Sequence, residues 1–345
     1  MDSLLFTLNA VLPIIICIVV GYVVKLLKIF PDNFWRVLNK LCFRVFLPLL
    51  LFKNIYDIKD ITMLGDYWQA ILFSVVTILV IFIIGLGIVI ILIKDDKQKG
   101  VVLQCIFRSN FAIIGIGLIE LLAQGFSFSD ITMAKGIGAC LSAVSIPLFN
   151  VLAIISLSIF VKEEGKRTKP KTVLLKIAKN PLIIAVLLGI IVLAFRTLIP
   201  LDDLGNPVFT FRYFNDYGGN DSFIYTTIKY LAQAATPVAL VALGGGFTFS
   251  AVKKLRYQII LGTSIRVVAV PVLALLFAWI FKFDKIYFPA FIALFGTPVA
   301  VSSVPMSQEL GGDTELAGQL VVFTTITSAF TLFIIILVSK SIGLL

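Results

Sequence analysis

RSNFAIIGIG, from Arg108 to Gly117, places a cation, an amide and two glycines inside a run that otherwise reads as one membrane-crossing helix. Charge in a span is costly, and glycine weakens a helix. Non-helical backbone at membrane depth survives only where it is buried in protein or lines a cavity. The stretch therefore points to a helix interrupted for a purpose.

The surroundings fix the class. The chain has 345 residues, 59% of them hydrophobic and only 14% charged, whereas soluble domains carry roughly 25% charge. Apolar runs long enough to cross a bilayer recur from end to end. We expect an all-α polytopic membrane protein with ten spans, near 9–29, 35–53, 68–93, 101–122, 129–161, 173–199, 223–248, 257–281, 286–308 and 315–340. The N-terminal apolar segment is preceded by Asp2 and by no Lys or Arg, so it reads as a retained first helix rather than a signal peptide.

The net charge of +10 reflects cations placed between apolar runs, the topogenic pattern rather than a nucleic-acid surface. They concentrate on one set of alternate loops, above all as Lys162, Lys166, Arg167, Lys169, Lys171, Lys176 and Lys179. That bias puts the 162–172 linker in the cytoplasm and both termini outside, in a cell (inner or plasma) membrane. The chain contains no histidine, which removes histidine-based metal sites, triads and proton relays. Cys17, Cys42, Cys105 and Cys140 all fall inside spans and read as small buried hydrophobes. No metal, cofactor or acid pair is expected, and enzyme chemistry is not indicated. The sequence is compatible with a homodimer without requiring one.

The chain resembles itself. Pro13 and Gly21 match Pro181 and Gly189, an offset of 168; Pro48 and Gln69 match Pro237 and Gln258, an offset of 189. The difference is about the length of the segment 201–221, read as an insertion. The unit, 1–161 against 173–345, holds an odd number of spans, so the two copies enter the membrane from opposite sides. Inverted repeats of this kind are typical of secondary transporters, whose site lies at the midplane on discontinuous helices. Shifted by the same 189, Asn110 lands on Val299 inside FGTPVAVSSVP (295–305). The fourth span of each half thus carries a disruptive stretch, with Gly115 and Gly117 in one and Gly296, Pro298 and Pro305 in the other. Helices 4 and 9 are expected to break and cross there, and half-helix N-termini suit an anion.

These residues also carry a family likeness. Asn110-Phe-Ala-Ile-Ile-Gly-Ile-Gly117 resembles the fourth-span motif of the auxin efflux carrier family, N-x-x-x-x-G-I-P, with glycine in place of the family proline. TPVAVSSVPMSQELGGDTELAGQLVVFTTITS (297–328) resembles its ninth-span signature. The resemblance implies a carrier for a small organic anion, a mono- or dicarboxylate such as malate or an auxin-like acid, that alternates access around the crossing of helices 4 and 9. A sodium-coupled organic-anion symporter and a transport-inactive membrane sensor stay open as alternatives.

Asn110 suits a substrate carboxylate. Arg108 suits an anion or snorkels to the surface. Arg266 lies deeper, with no acid four residues away, and is a functional candidate or a structural partner to a loop acid or carbonyl. Ser302 and Ser303, between the prolines, line a cavity or a helix contact. Glu309 and Glu120 close spans 9 and 4 and are the coupling candidates in a chain without histidine.

Overall fold

The computed structural model describes residues 2–57, 63–123, 126–160, 162–163, 166–167, 174–175, 177–198 and 222–345. The segment 201–221 and most of the 162–172 linker lie outside the described residues; Lys162–Glu163 and Lys166–Arg167 form a short antiparallel pair.

The architecture is helical. α1 (Asp2–Leu26) is followed by α2 (Asn33–Leu41), which runs through a π turn at Cys42–Phe46 into α3 (Leu47–Tyr56). After the single turn α4 (Met63–Asp66) come α5 (Trp68–Leu92) and α6 (Asp96–Phe107). A π turn at Phe111–Gly115 opens α7 (Ile116–Leu122), and α8 is the long Phe128–Ser158. The second half holds α9 (Pro181–Leu198), α10 (Phe223–Gly246), α11 (Phe249–Lys254) and α12 (Arg256–Ser264). α12 continues through a π turn at Ile265–Ala269 into α13 (Val270–Ile280). α14 (Phe288–Gly296), α15 (Ser303–Leu310) and α16 (Thr314–Ser341) complete it.

Four of these helices, Trp68–Leu92, Phe128–Ser158, Arg256–Ile280 and Thr314–Ser341, are long and apolar enough to cross a membrane, and shorter apolar helices lie among the rest. α5 has no charged residue, and its most apolar window has a mean hydropathy of 3.4 with 17% of it buried. A helix that is apolar all round yet largely uncovered requires lipid, not water, as its solvent. Polar residues mark the ends. Asp95 accepts from the amides of Lys97 and Gln98 to open α6, Ser222 accepts from Tyr225 to open α10, and Asp313 accepts from Leu316 to open α16. Gly311, at φ 82°, ends α15 in the left-handed conformation that glycine adopts without strain.

Two packing groups emerge. α1, α2, α3, α9 and α10 pack mainly on one another, while α5 to α8 and α12 to α16 enclose the centre. The first group is held by close backbone contact. A Cβ added at Gly21 would overlap the Val241 carbonyl, and one at Gly244 would overlap the Ile18 carbonyl, so α1 and α10 cross with only hydrogen between them. Gly189 of α9 meets α3 in a related way, against Ile55 and the Phe52 carbonyl at 3.3 Å.

At the centre, both disruptive stretches leave the helix. The first does so at Arg108–Asn110, earlier than Gly115 and Gly117 suggest; Gly115 sits in the π turn and Gly117 in α7. The second is extended and turn-like from Thr297 to Ser302. The two segments meet as an antiparallel bridge pairing Ser109 with Val299, and the Asn110 amide donates to the Pro298 carbonyl at 2.8 Å. The interruption in the first segment is thus made by pairing across the molecule, since no Gly or Pro stands at 108–110. In the second, Pro298 has no amide to give and serves as the acceptor.

Candidate functional site at the helix crossing

A small cavity of about 50 Å³ lies beside this bridge. One wall is the interruption itself, with Arg108, Ser109, Asn110 and Ser302; the facing wall is α3 and α10, with Asn54 and Thr236 among otherwise apolar side chains. Thus it lies between the two packing groups. Asn150 of α8 adds to the polar wall, with Ile146 and Phe149 beside it.

Arg108 is 4% exposed. Its Nη2 donates to Asn150 Oδ1 and to Ser302 Oγ, both at 2.8 Å, and its Nη1 faces Met306 Sδ at 2.9 Å. All three acceptors are neutral, and the thioether is a weak one. Among the described residues no carboxylate pairs with Arg108, and no Asp or Glu lines the cavity. A buried charge without a counterion costs several kcal/mol. The site therefore holds a buried guanidinium that is oriented by neutral dipoles.

Asn110 adds a directed donor. It is 2% exposed, and its Nδ2 has no hydrogen-bond partner among the described residues. Buried polar groups are nearly always paired, and an orphan calls for a reason. Its backbone is committed on both sides. The amide goes to Pro298, and the carbonyl accepts from Ile113 and Ile114 at 3.2 and 3.1 Å as the helix resumes. Two helix starts, at Phe111 and at Ser303, face the interruption with the positive ends of their dipoles, although the Ser303 and Val304 amides are already taken by the Ala300 and Val301 carbonyls. All of these features favour negative charge.

Comparison with known proteins gives the family. The profile of the membrane transport protein family matches residues 6–336. The chain belongs to that family, the group of the auxin efflux carriers. It is 24% identical over 251 residues to an uncharacterized transporter of Methanocaldococcus jannaschii, covering 71% of this chain and 70% of that one. Its fold is similar to that of the sodium proton antiporter MjNhaP1 of the same organism, with a TM-score of 0.50, 13% identity and 96% of each chain covered. At that identity the likeness concerns the fold alone. Together with the apolar helices, family membership makes the chain an integral membrane transporter.

The site residues expected from sequence separate in space. Asn110, Arg108 and Ser302 line the cavity. Ser303 is buried behind it, with its hydroxyl unpartnered among the described residues. Pro298 contributes its carbonyl to the bridge, and Gly115 and Gly117 do not reach the cavity wall. Arg266 does not line the cavity either; it is turned into the protein behind the interruption. Glu309 pairs with Arg44 at 3.2 Å, and Glu120 pairs with Lys135 at 2.8 Å, both away from the cavity.

Other participants were not singled out from sequence. Asn150 is the main one; a lone amide three residues after Pro147 in an apolar run was the available signal. The Thr324 hydroxyl accepts from the Val299 amide at 3.3 Å while donating to the Leu320 carbonyl at 2.7 Å. It thereby satisfies a backbone group that the interruption frees.

Proposed function

We propose that the protein is a secondary carrier for a small organic anion, a mono- or dicarboxylate, held in the cavity at the crossing of two broken helices. The observation that carries this reading is the pairing, on one cavity wall, of a buried Arg108 and an Asn110 donor that, among the described residues, have no carboxylate partner and no acceptor respectively. A carboxylate supplies both missing partners. The cavity lies between the two packing groups, so a shift of one group against the other would carry its contents with the interruption and exchange its access.

The architecture we assign is ten spans in two inverted halves, 1–161 and 173–345, with the interrupted segments as the fourth span of each. Two contacts support the repeat. Gly21 meets Val241, and Gly189 meets Phe52. Gly21 and Gly189 are 168 apart, and Phe52 and Val241 are 189 apart, the two offsets found in the sequence. One contact therefore maps onto the other when the halves are exchanged. The bridge between Ser109 and Val299 joins segments related by the same 189. With the positive-inside rule, this topology puts both termini outside and the 162–172 linker in the cytoplasm.

The test is a thermal-shift series on the purified, detergent-solubilised protein, because a ligand that binds the folded state raises its apparent stability. Mono- and dicarboxylates should give saturating shifts, and the corresponding neutral amides should give none. Equal shifts from acid and amide, or no shift across the carboxylates, would remove the anion reading.

A further inference from the structure

We infer that Arg266 is a resident cation, placed where the C-terminal ends of two half-helices converge and where a carrier of this architecture could otherwise coordinate a metal cation. α6 ends at Phe107 and α14 at Gly296, each with carbonyls that no later turn of its own helix can satisfy. Such an end carries about half an elementary negative charge. Half-helix ends and unwound carbonyls of this kind coordinate sodium in some transporters. In this protein, a guanidinium fills the position.

The geometry is specific. Arg266 Nη1 donates to the Ile106 and Phe107 carbonyls, both at 3.3 Å. Its Nη2 donates to those of Leu294, Phe295 and Thr297 at 3.4, 3.1 and 2.9 Å, and its Nε to Thr297 at 3.1 Å. One side chain thus gathers carbonyls from both broken helices. It is 1% exposed, and among the described residues it has no carboxylate partner. It projects from the π turn Ile265–Ala269, which inserts one residue into an otherwise continuous helix and so aims the side chain inward. One full positive charge against two half charges leaves the C-terminal side of the crossing close to neutral. The cavity then sees only the opposite ends, at Phe111 and Ser303, and Arg108. Arg266 is accordingly a positioning residue. It fixes the two half-helices relative to each other and sets the sign of the ion the crossing accepts. This deepens the anion reading and rests on it only for that last consequence.

The experiment follows thermal stability of the full-length protein in detergent, without substrate, at constant ionic strength. Wild type should show no difference between sodium and choline chloride. Arg266→Ala removes the resident cation and leaves its carbonyls around a small void. Its lowered melting temperature should rise again in a saturating way with millimolar guanidinium, and in part with sodium, but not with choline. Arg266→Lys should fall between wild type and Arg266→Ala and should not respond to guanidinium. A side chain that merely fills space would give no cation-specific rescue. If Arg266→Ala cannot be purified, Arg266→Gln, which keeps one amide donor, takes its place in the same titration. Absence of rescue in the variant that folds, or a saturating sodium response in wild type, overturns the inference. Because no carboxylate is added, a failure of the anion reading appears only in the separate carboxylate series.

Discussion

Asn110→Ala separates stability from binding, because the two should move in opposite directions. Without ligand, Asn110 Nδ2 is buried and unpartnered. Leaving such a donor unsatisfied costs about 1–3 kcal/mol, so removing it returns part of that cost. The packing lost is limited, since the side chain borders the cavity of about 50 Å³ on one side. The backbone bonds of residue 110, to Pro298 and from Ile113 and Ile114, do not involve the side chain and persist in the variant. The ligand-free variant should therefore melt at or above the wild-type temperature. Binding loses a hydrogen bond to a charged group, roughly 1.5–3 kcal/mol, which is about a ten- to more than a hundred-fold rise in Kd. Both quantities come from one set of melting curves across a carboxylate titration. A variant that is less stable without ligand and binds a verified carboxylate as tightly as wild type would refute the reasoning, since Asn110 would then be structural.

Arg108→Gln should abolish the carboxylate-induced shift, whereas Arg108→Lys should retain part of it, because an ammonium keeps the charge but not the fork that reaches Asn150 and Ser302 together; equal affinity of the Gln variant in the titration would exclude Arg108 from the site. Gly21→Ala and Gly244→Ala force a methyl into opposing backbone and should each lower stability by about 1–3 kcal/mol. Gly117→Ala meets nothing within 4 Å and should be neutral or stabilising by up to about 1 kcal/mol; chemical denaturation of the three variants decides the ranking. Glu309→Gln and Glu120→Gln break surface pairs that contribute about 0–1 kcal/mol and should leave carboxylate affinity unchanged. With no acid among the described residues at the cavity to carry a proton, transport in proteoliposomes should be electrogenic, each charge feeling about 2.3 kcal/mol per 100 mV. Transport indifferent to a potassium diffusion potential and abolished by Glu309→Gln would instead assign the coupling to that carboxyl.

How far the sequence could be read depended on whether the cause was local. Hydropathy locates the apolar helices because lipid solvation acts residue by residue. Pro298 and Gly296 announce the second interruption, for proline disrupts a helix wherever it stands. The first interruption was legible only approximately. Gly115 and Gly117 permit a break, yet the chain leaves the helix at Arg108–Asn110, where the pairing with Pro298 and Val299 replaces helical hydrogen bonds. That partner is almost two hundred positions away, and no local propensity encodes it. Asn150 was overlooked for a similar reason. An amide in a span is usually a helix contact, and only the folded chain brings it to Arg108.

The two buried arginines show most clearly what folding adds. Arg108 and Arg266 look alike in sequence, each a lone cation in an apolar run without a nearby acid. Their environments divide them by the kind of acceptor the protein supplies. Arg266 meets peptide carbonyls at two helix ends, whose aligned dipoles amount to a diffuse counterion, so its charge is balanced within the fold. Arg108 meets a side-chain amide, a hydroxyl and a thioether, which orient it without cancelling it. The uncancelled charge lies on the cavity wall and the cancelled one behind it. Exchanging the balance predicts exchanged behaviour. Introducing a carboxylate beside Arg108, as in Ser302→Asp, should pair it internally. The carboxylate-induced thermal shift should then vanish while the fold is retained, since Ser302 Oγ lies 2.8 Å from Nη2. A Ser302→Asp protein that still binds a carboxylate at wild-type affinity would show that Arg108's charge is not what the ligand meets.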